Sequence, residues 1–304
     1  MQFAIAIPQY FRDGEFDPKA FRAYLARVEE LGYDGAWAQE ATLGTGPQLS
    51  AMEILTYAAA CTTRIRLGCT VWVSTLHLPV HFANSLSTLD QLSGGRLDVG
   101  VGSGGPWRPF EAFGMSKDRY VARFTEGIEL LKTLWTHEKI TFDGQFYQLT
   151  DAAMEPKPRQ KPHPPLWFGG SSEAALRRAV RLGDGFFGAG STTTAAFAGQ
   201  AAFVRSITAD YGMEAARFPI AKRVYIAVDD DAGRARERIN AGLAMVYGRR
   251  VPAFEAAAIA GTPADCVAAV REVIDAGAGL VLFTPLDDLP GHAERIAAEI
   301  IPDL

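Results

Sequence analysis

The stretch LDVGVGSGGPW, residues 97–107, decides the fold, because its glycines admit two incompatible readings. Gly100, Gly102 and Gly105 fit G-x-G-x-x-G after a strand-like run, the phosphate cradle of a dinucleotide-binding fold. That fingerprint normally runs straight into a helix, with an acidic residue about 20 positions later at the end of the next strand. Here it meets Pro106-Trp107-Arg108-Pro109, which obstructs a helix start, and no further strand-like run of the main alternation follows until Pro165. It also lies on the fourth strand-like run rather than the first. The other reading is a glycine-rich strand end in a barrel, where a ligand can approach the backbone closely.

Working outward, short β-rich runs alternate with amphipathic stretches along the whole chain. The runs are FAIAIP (3–8), DGAWAQ (34–39), IRLGCTVW (65–72), LDVGVG (97–102), PLWFGG (165–170), DGFFGAG (184–190), IAKRVYIAV (220–228) and GLVLFTP (279–285). Most are almost continuously apolar, as strands covered on both faces are. ELGYDGAW, RLGDGFFG and DAGAGLVLF each read as a helix stopped by glycine before a short loop into a strand, the joint of a parallel sheet. Eight such units within 304 residues predict a single α/β (β/α)8 TIM barrel over 1–304, with a doubly wound sheet as the alternative. Residues 137–164 break the rhythm. They hold Asp143-Gly144 between two β-like runs and then a proline-rich tail, and predict a hairpin insertion between the fourth and fifth strands.

Composition narrows the function. A chain with 48% hydrophobic residues and a formal charge of −5, without any Lys/Arg run, does not suit a nucleic-acid backbone. No apolar run reaches the ~18 residues of a membrane span, and MQFAIAIPQY lacks a basic leader, so the expectation is a soluble cytoplasmic protein. Three widely spaced cysteines, Cys61, Cys69 and Cys266, predict buried free thiols.

Leu67-Gly-Cys-Thr-Val-Trp, Leu78-Pro-Val, the run ANSLSTLDQLSGGRL, the VGVGSG strand end and PPLWFGGSSEAALRRAVRLGDGFFG together resemble the luciferase-like family of flavin- and deazaflavin-dependent oxidoreductases. The resemblance spans most of the chain and implies a TIM barrel with a hairpin insertion. It implies coenzyme F420 or FMN as cofactor, a small-molecule substrate, often a homodimer and, where FMN is used, a flavin reductase as partner. Hydride transfer with F420 is the favoured branch, and oxygen insertion with reduced FMN stays open. The resemblance further implies that Ser103, Gly104, Gly169, Gly170, Ser171 and Ser172 hold the cofactor phosphate, in agreement with the free N–H groups expected where EAALRRAVRLG begins. Serine capping of that helix is the competing account. Thr70 and Val71 join the cofactor residues through a cis peptide implied at this point of the third strand.

At the second strand end the family commonly has an acidic residue followed by histidine. Here Glu40 is followed by Ala41, so the histidine is missing. Glu40 and Glu111 are the candidate catalytic groups, and Trp72, His77 and Trp107 the candidate substrate contacts, with core packing the competing account for both tryptophans. His77 and His81 are spaced i, i+4, but Pro79 separates a loop residue from a helical one, and no metal site is expected. Asp229-Asp230-Asp231 reads as helix capping. A barrel that binds flavin without catalysis is the rival from another class. A flavin-free lyase or isomerase, with a substrate phosphate at the same glycines, is a third.

Overall fold

Eight parallel strands close on themselves, as the alternation predicts. In the computed structural model, which describes residues 1–11, 15–44 and 46–304, they are β1 (Gln2–Ala6), β2 (Gly35–Ala38), β3 (Arg66–Val73), β4 (Leu97–Gly102), β7 (Leu166–Gly169), β8 (Gly185–Gly188), β9 (Ile220–Val228) and β11 (Leu280–Thr284). They pair in that order, and β11 returns to β1. The expected insertion is the antiparallel hairpin β5 (Lys139–Asp143) and β6 (Gln148–Ala153). Its turn is tied down by Glu126, whose carboxylate accepts from the amides of Gln145, Phe146 and Tyr147. A three-residue strand absent from the sequence reading, β10 (Ile259–Gly261), pairs with Ile226 to Val228, the part of β9 that extends past β11.

Helices α1 (Pro18–Glu30), α2 (Ala51–Cys61), α3 (Pro79–Leu92), α4 (Tyr120–Thr136), α5 (Glu173–Leu182), α6 (Thr194–Ile207), α7 (Ala232–Tyr247), α8 (Pro252–Ala257), α9 (Pro263–Asp275) and α10 (Leu289–Arg295) complete the chain. Two of the three predicted glycine stops hold in detail: Gly32 (φ +87) and Gly277 (φ +108) take the left-handed turn that favours glycine. Gly183 instead has φ −98, and its lack of a side chain serves packing, since a Cβ would lie 2.5 Å from the Phe168 ring. The aspartates of these joints tie strands together, Asp34 accepting from Phe3 N at 2.7 Å and Asp184 from Leu166 N at 2.9 Å. Cys69 and Cys266 are buried free thiols, whereas Cys61 is partly exposed. Of the three aspartates, Asp231 caps α7, while Asp229 pairs with Arg234 and Arg238 and Asp230 with Arg295. No helix among the described residues is long and apolar enough to cross a membrane.

Large and small residues alternate in the barrel interior, and aromatic rings plug its lower half. Trp37 fills the space left by Gly68, whose Cβ would lie 2.4 Å from that ring, and Trp167 fills the space at Gly185. Trp37, Trp167 and Phe187 meet edge to face or tilted, with centroids 4.9 to 6.3 Å apart. Below them the Trp167 indole donates to buried Asp98, which Arg66 pairs. Any site must therefore lie above this plug, at the C-terminal ends of the strands.

Ala221 points into the barrel, so Lys222 turns outward, where its ammonium is buried against Phe197 of α6 and donates to Ala189 O and to Thr192 O at 2.8 Å. Burial, and after it the charge of Arg223, lowers its pKa to about 7. A base whose pKa is depressed by folding binds fewer protons than the unfolded chain between the two values, so its penalty is full below pH 7 and fades as pH rises toward the ordinary lysine range. The stability advantage of wild type over Lys222→Met should therefore grow by about 3 kcal/mol between pH 7 and 9.5. Urea unfolding of both proteins across that range measures it, and a constant difference would refute the burial account.

Candidate functional site

The glycines of the opening stretch have protein neighbours. A Cβ on Gly100 would lie 2.0 Å from Cys69 O, and those on Gly102 and Gly169 would lie 2.9 and 3.0 Å from the Val71 side chain. The β3–β4 register shifts between Cys69 and Trp72, and the Thr70–Val71 peptide is cis, as the resemblance implies. Gly100, Gly102 and Gly169 thus make room for β3, a role for these glycines that the sequence reading, which considered only the approach of a ligand, did not include. Gly104 (φ +69) turns the chain after β4 against Val73, and Gly105 lies under the ring of Trp107.

The two loops expected at the phosphate lie side by side, because β4 and β7 run parallel with Val101 opposite Phe168. Ser172 caps α5, accepting from Ala175 N at 3.3 Å, and leaves other first-turn amides without partners in the helix. Ser171 is exposed beside it. The Ser103 hydroxyl is turned onto its own loop, donating to Gly104 O, and Ser103 O accepts from Thr75. Capping and anion binding are compatible here, since the cap occupies one amide only.

Glu40 and His77, read from the sequence as separate acid and substrate contacts, form one pair. Glu40 Oε1 lies 2.6 Å from His77 Nε2, while Oε2 accepts from Val73 N at 2.6 Å. The imidazole stacks on Phe82 with centroids 4.6 Å apart. An imidazole thus reaches the second strand end although position 41 is alanine. Glu111 stands apart, exposed on the turn Phe110–Phe113. Trp72 is fully buried against Phe82 and presents nothing to the mouth, because the alternation of β3 turns it outward toward α3. Trp107 is 80% exposed and forms no enclosed wall.

Sequence reasoning missed Arg223. On β9 it points up the barrel above the aromatic plug, 8% exposed, and donates to Gln39 Oε1 at 2.8 Å, to the Thr70 carbonyl at 3.5 Å and to Tyr225 Oη. No carboxylate pairs with it among the described residues, and its Nε has no partner. Burial works against its charge, but the phenol oxygens of Tyr225, Tyr247 and Tyr10 outweigh it, so its pKa lies above the ordinary value. The available signal was Lys222-Arg223 inside an otherwise apolar strand. Beside this cluster a cleft of about 350 Å³ opens at the ends of β1, β2 and β11, lined by Tyr10, Gln39, Thr284 and the end of α7.

The donor set suits a cofactor with a phosphate tail and a ring that gains negative charge on reduction: free amides and serines stand after β4 and β7, and an uncompensated guanidinium lies against Gln39 and the Thr70 carbonyl. Comparison with known proteins agrees. A 188-residue stretch, 57% of this chain and 53% of its relative, is 35% identical to an F420-dependent glucose-6-phosphate dehydrogenase of Beutenbergia cavernae. Another of 117 residues, 38% of this chain and 32% of its relative, is 40% identical to an FMNH(2)-dependent dimethylsulfone monooxygenase of Pseudomonas putida. The chain thus spans about half or less of the length of these curated relatives. Monooxygenase RslO1 of Streptomyces bottropensis superposes with a TM-score of 0.85 over 99% of both chains at 23% identity, which supports the barrel. The sequence model of the luciferase-like monooxygenases matches residues 1–253, and the chain belongs to that family.

Proposed function

We propose that the chain is an oxidoreductase that uses coenzyme F420 to move hydride to or from a small organic substrate at the barrel mouth. The observation that carries this reading is the buried Arg223 cation, unneutralised by any carboxylate among the described residues and directed from β9 toward Gln39 after β2 and the Thr70 carbonyl of β3. Such a charge favours a ring that gains negative charge on reduction. The ring supplies the redox chemistry when bound, and the protein's part is to hold, orient and protonate.

In this reading Ser103, Gly104 and Gly169 to Ser172 hold the phosphate, and Thr70 and Val71 support the ring. Glu40 is a positioning residue. Its carboxylate fixes the proton of His77 on Nε2 and leaves Nδ1, which makes no hydrogen bond among the described residues, to exchange a proton at the mouth. The 40% identical stretch shared with the Pseudomonas putida enzyme supports a second reading, oxygen insertion with reduced FMN supplied by a flavin reductase.

Titration with oxidised F420 and FMN, followed by turnover with and without oxygen, separates the two. F420 binding with oxygen-independent turnover is expected. Oxygen-dependent turnover with FMN selects the second reading. Cofactor binding without turnover selects a non-catalytic barrel, and binding of neither removes all three.

A further inference from the structure

The cleft beside Arg223 carries a pair of hydroxyl groups whose hydrogens are unspent. Arg223 can only donate, so its bond to Gln39 Oε1 fixes the orientation of the Gln39 amide. The amide nitrogen then donates to Tyr10 Oη at 3.1 Å, which makes the phenol oxygen an acceptor and leaves its own hydrogen free. Tyr10 donates to nothing else among the described residues, and it lines the cleft. Burial pushes its pKa up to about 12, against the pull of the Arg223 charge, so the hydrogen stays in place. Thr284, at the end of β11, lines the same cleft; the residue is 4% exposed, and its buried hydroxyl has no partner among the described residues. A buried polar atom left unpaired costs free energy that a ligand can recover.

The remaining surface sets the rest of the ligand. Ile7, Pro8, Met245, Val246 and Leu286 give apolar walls. Asp287 and Asp288 line it as well: Asp287 is an anion, held down at about 2, with His292 Nε2 3.4 Å from one oxygen and Arg238 donating to the other at 2.7 Å, whereas exposed Asp288 accepts from Gly291 N and has no cation partner among the described residues. A polyanion would meet the unpaired Asp288 carboxylate on entry.

We propose that this cleft is the substrate pocket, and that the Tyr10 and Thr284 hydroxyls hold the oxygen of a small uncharged molecule, apolar except for one carbonyl or hydroxyl group. The proposal rests on the oxidoreductase reading above and names its substrate class. It sets the chain apart from the glucose 6-phosphate named for the Beutenbergia cavernae relative.

The test uses the full chain, with and without saturating oxidised F420, and cyclohexanone and glucose 6-phosphate as probes followed by ligand-detected NMR titration. Cyclohexanone is expected to bind and glucose 6-phosphate to bind more weakly. Tyr10→Phe and Thr284→Val, which preserve shape, should each weaken cyclohexanone by about 3- to 10-fold, the size of one lost neutral hydrogen bond, and leave the F420 fluorescence titration unchanged. Absence of cyclohexanone binding to wild type, an affinity unchanged in both variants, or tighter binding of glucose 6-phosphate overturns the proposal. If wild type binds neither F420 nor FMN, the oxidoreductase reading fails instead, while the two hydroxyls are still judged by the ketone alone.

Discussion

Glu40→Gln is expected to lower the rate of the chemical step about 10²- to 10⁴-fold at saturating cofactor, the usual contribution of a positioned proton-transfer group. The geometry explains why an amide cannot replace this carboxylate. Both oxygens are engaged by donors, Val73 N on one side and His77 Nε2 on the other. A glutamine can keep its oxygen on Val73 only by offering its NH₂ to His77. That forces Nε2 to accept and moves the imidazole proton to Nδ1, the reverse of the tautomer the carboxylate holds. His77→Gln should lose a similar factor, and the double variant should be little worse than either single one, because two groups acting as a unit are not additive. Single-turnover kinetics with F420 fluorescence as a parallel binding measurement checks this. Unchanged rates would reduce the pair to a tether between β2 and the loop after β3, and equal losses in rate and cofactor affinity would assign it to binding.

Most of the scaffold was legible because parallel barrel strands are apolar on both faces, so runs such as FAIAIP and GLVLFTP announce themselves whatever surrounds them. The hairpin was legible for the opposite reason, as a break in an otherwise regular alternation. What the sequence hid were directions and partners. Trp72 and Arg223 both lie in strands, and only the register of β3 and β9 decides that the tryptophan turns out toward Phe82 and the arginine up toward Gln39. Glu40 and His77 are 37 residues apart, and nothing local signals that the chain after β3 folds back over the end of β2. The hydroxyl of Tyr10 is meaningful only once the Gln39 amide is oriented, a relation that joins the ends of β1 and β2 to the interior of β9. Site chemistry in this fold is assembled across neighbouring strands, which is the level at which single-sequence reasoning has least purchase.

The glycines invite the other large effect. Gly100→Ala is expected to prevent folding or to cost more than about 4 kcal/mol, because its Cβ would fall 2.0 Å from the Cys69 carbonyl oxygen, where backbone faces backbone and no side chain can rotate away. Gly102→Ala should be milder, about 1 to 3 kcal/mol, since the atom it meets at 2.9 Å is a methyl of Val71. The pair of variants separates two causes that the sequence could not. If close approach of β3 dictates the glycines, Gly100→Ala fails even without cofactor, and Val71→Ala relieves Gly102→Ala but not Gly100→Ala. If a ligand dictates them, both variants fold with near-normal melting temperatures and lose only F420 or FMN affinity. Thermal unfolding of the cofactor-free proteins decides between these outcomes. A stable Gly100→Ala protein would return the strand end to the ligand and require β3 and β4 to lie farther apart than the present geometry sets them.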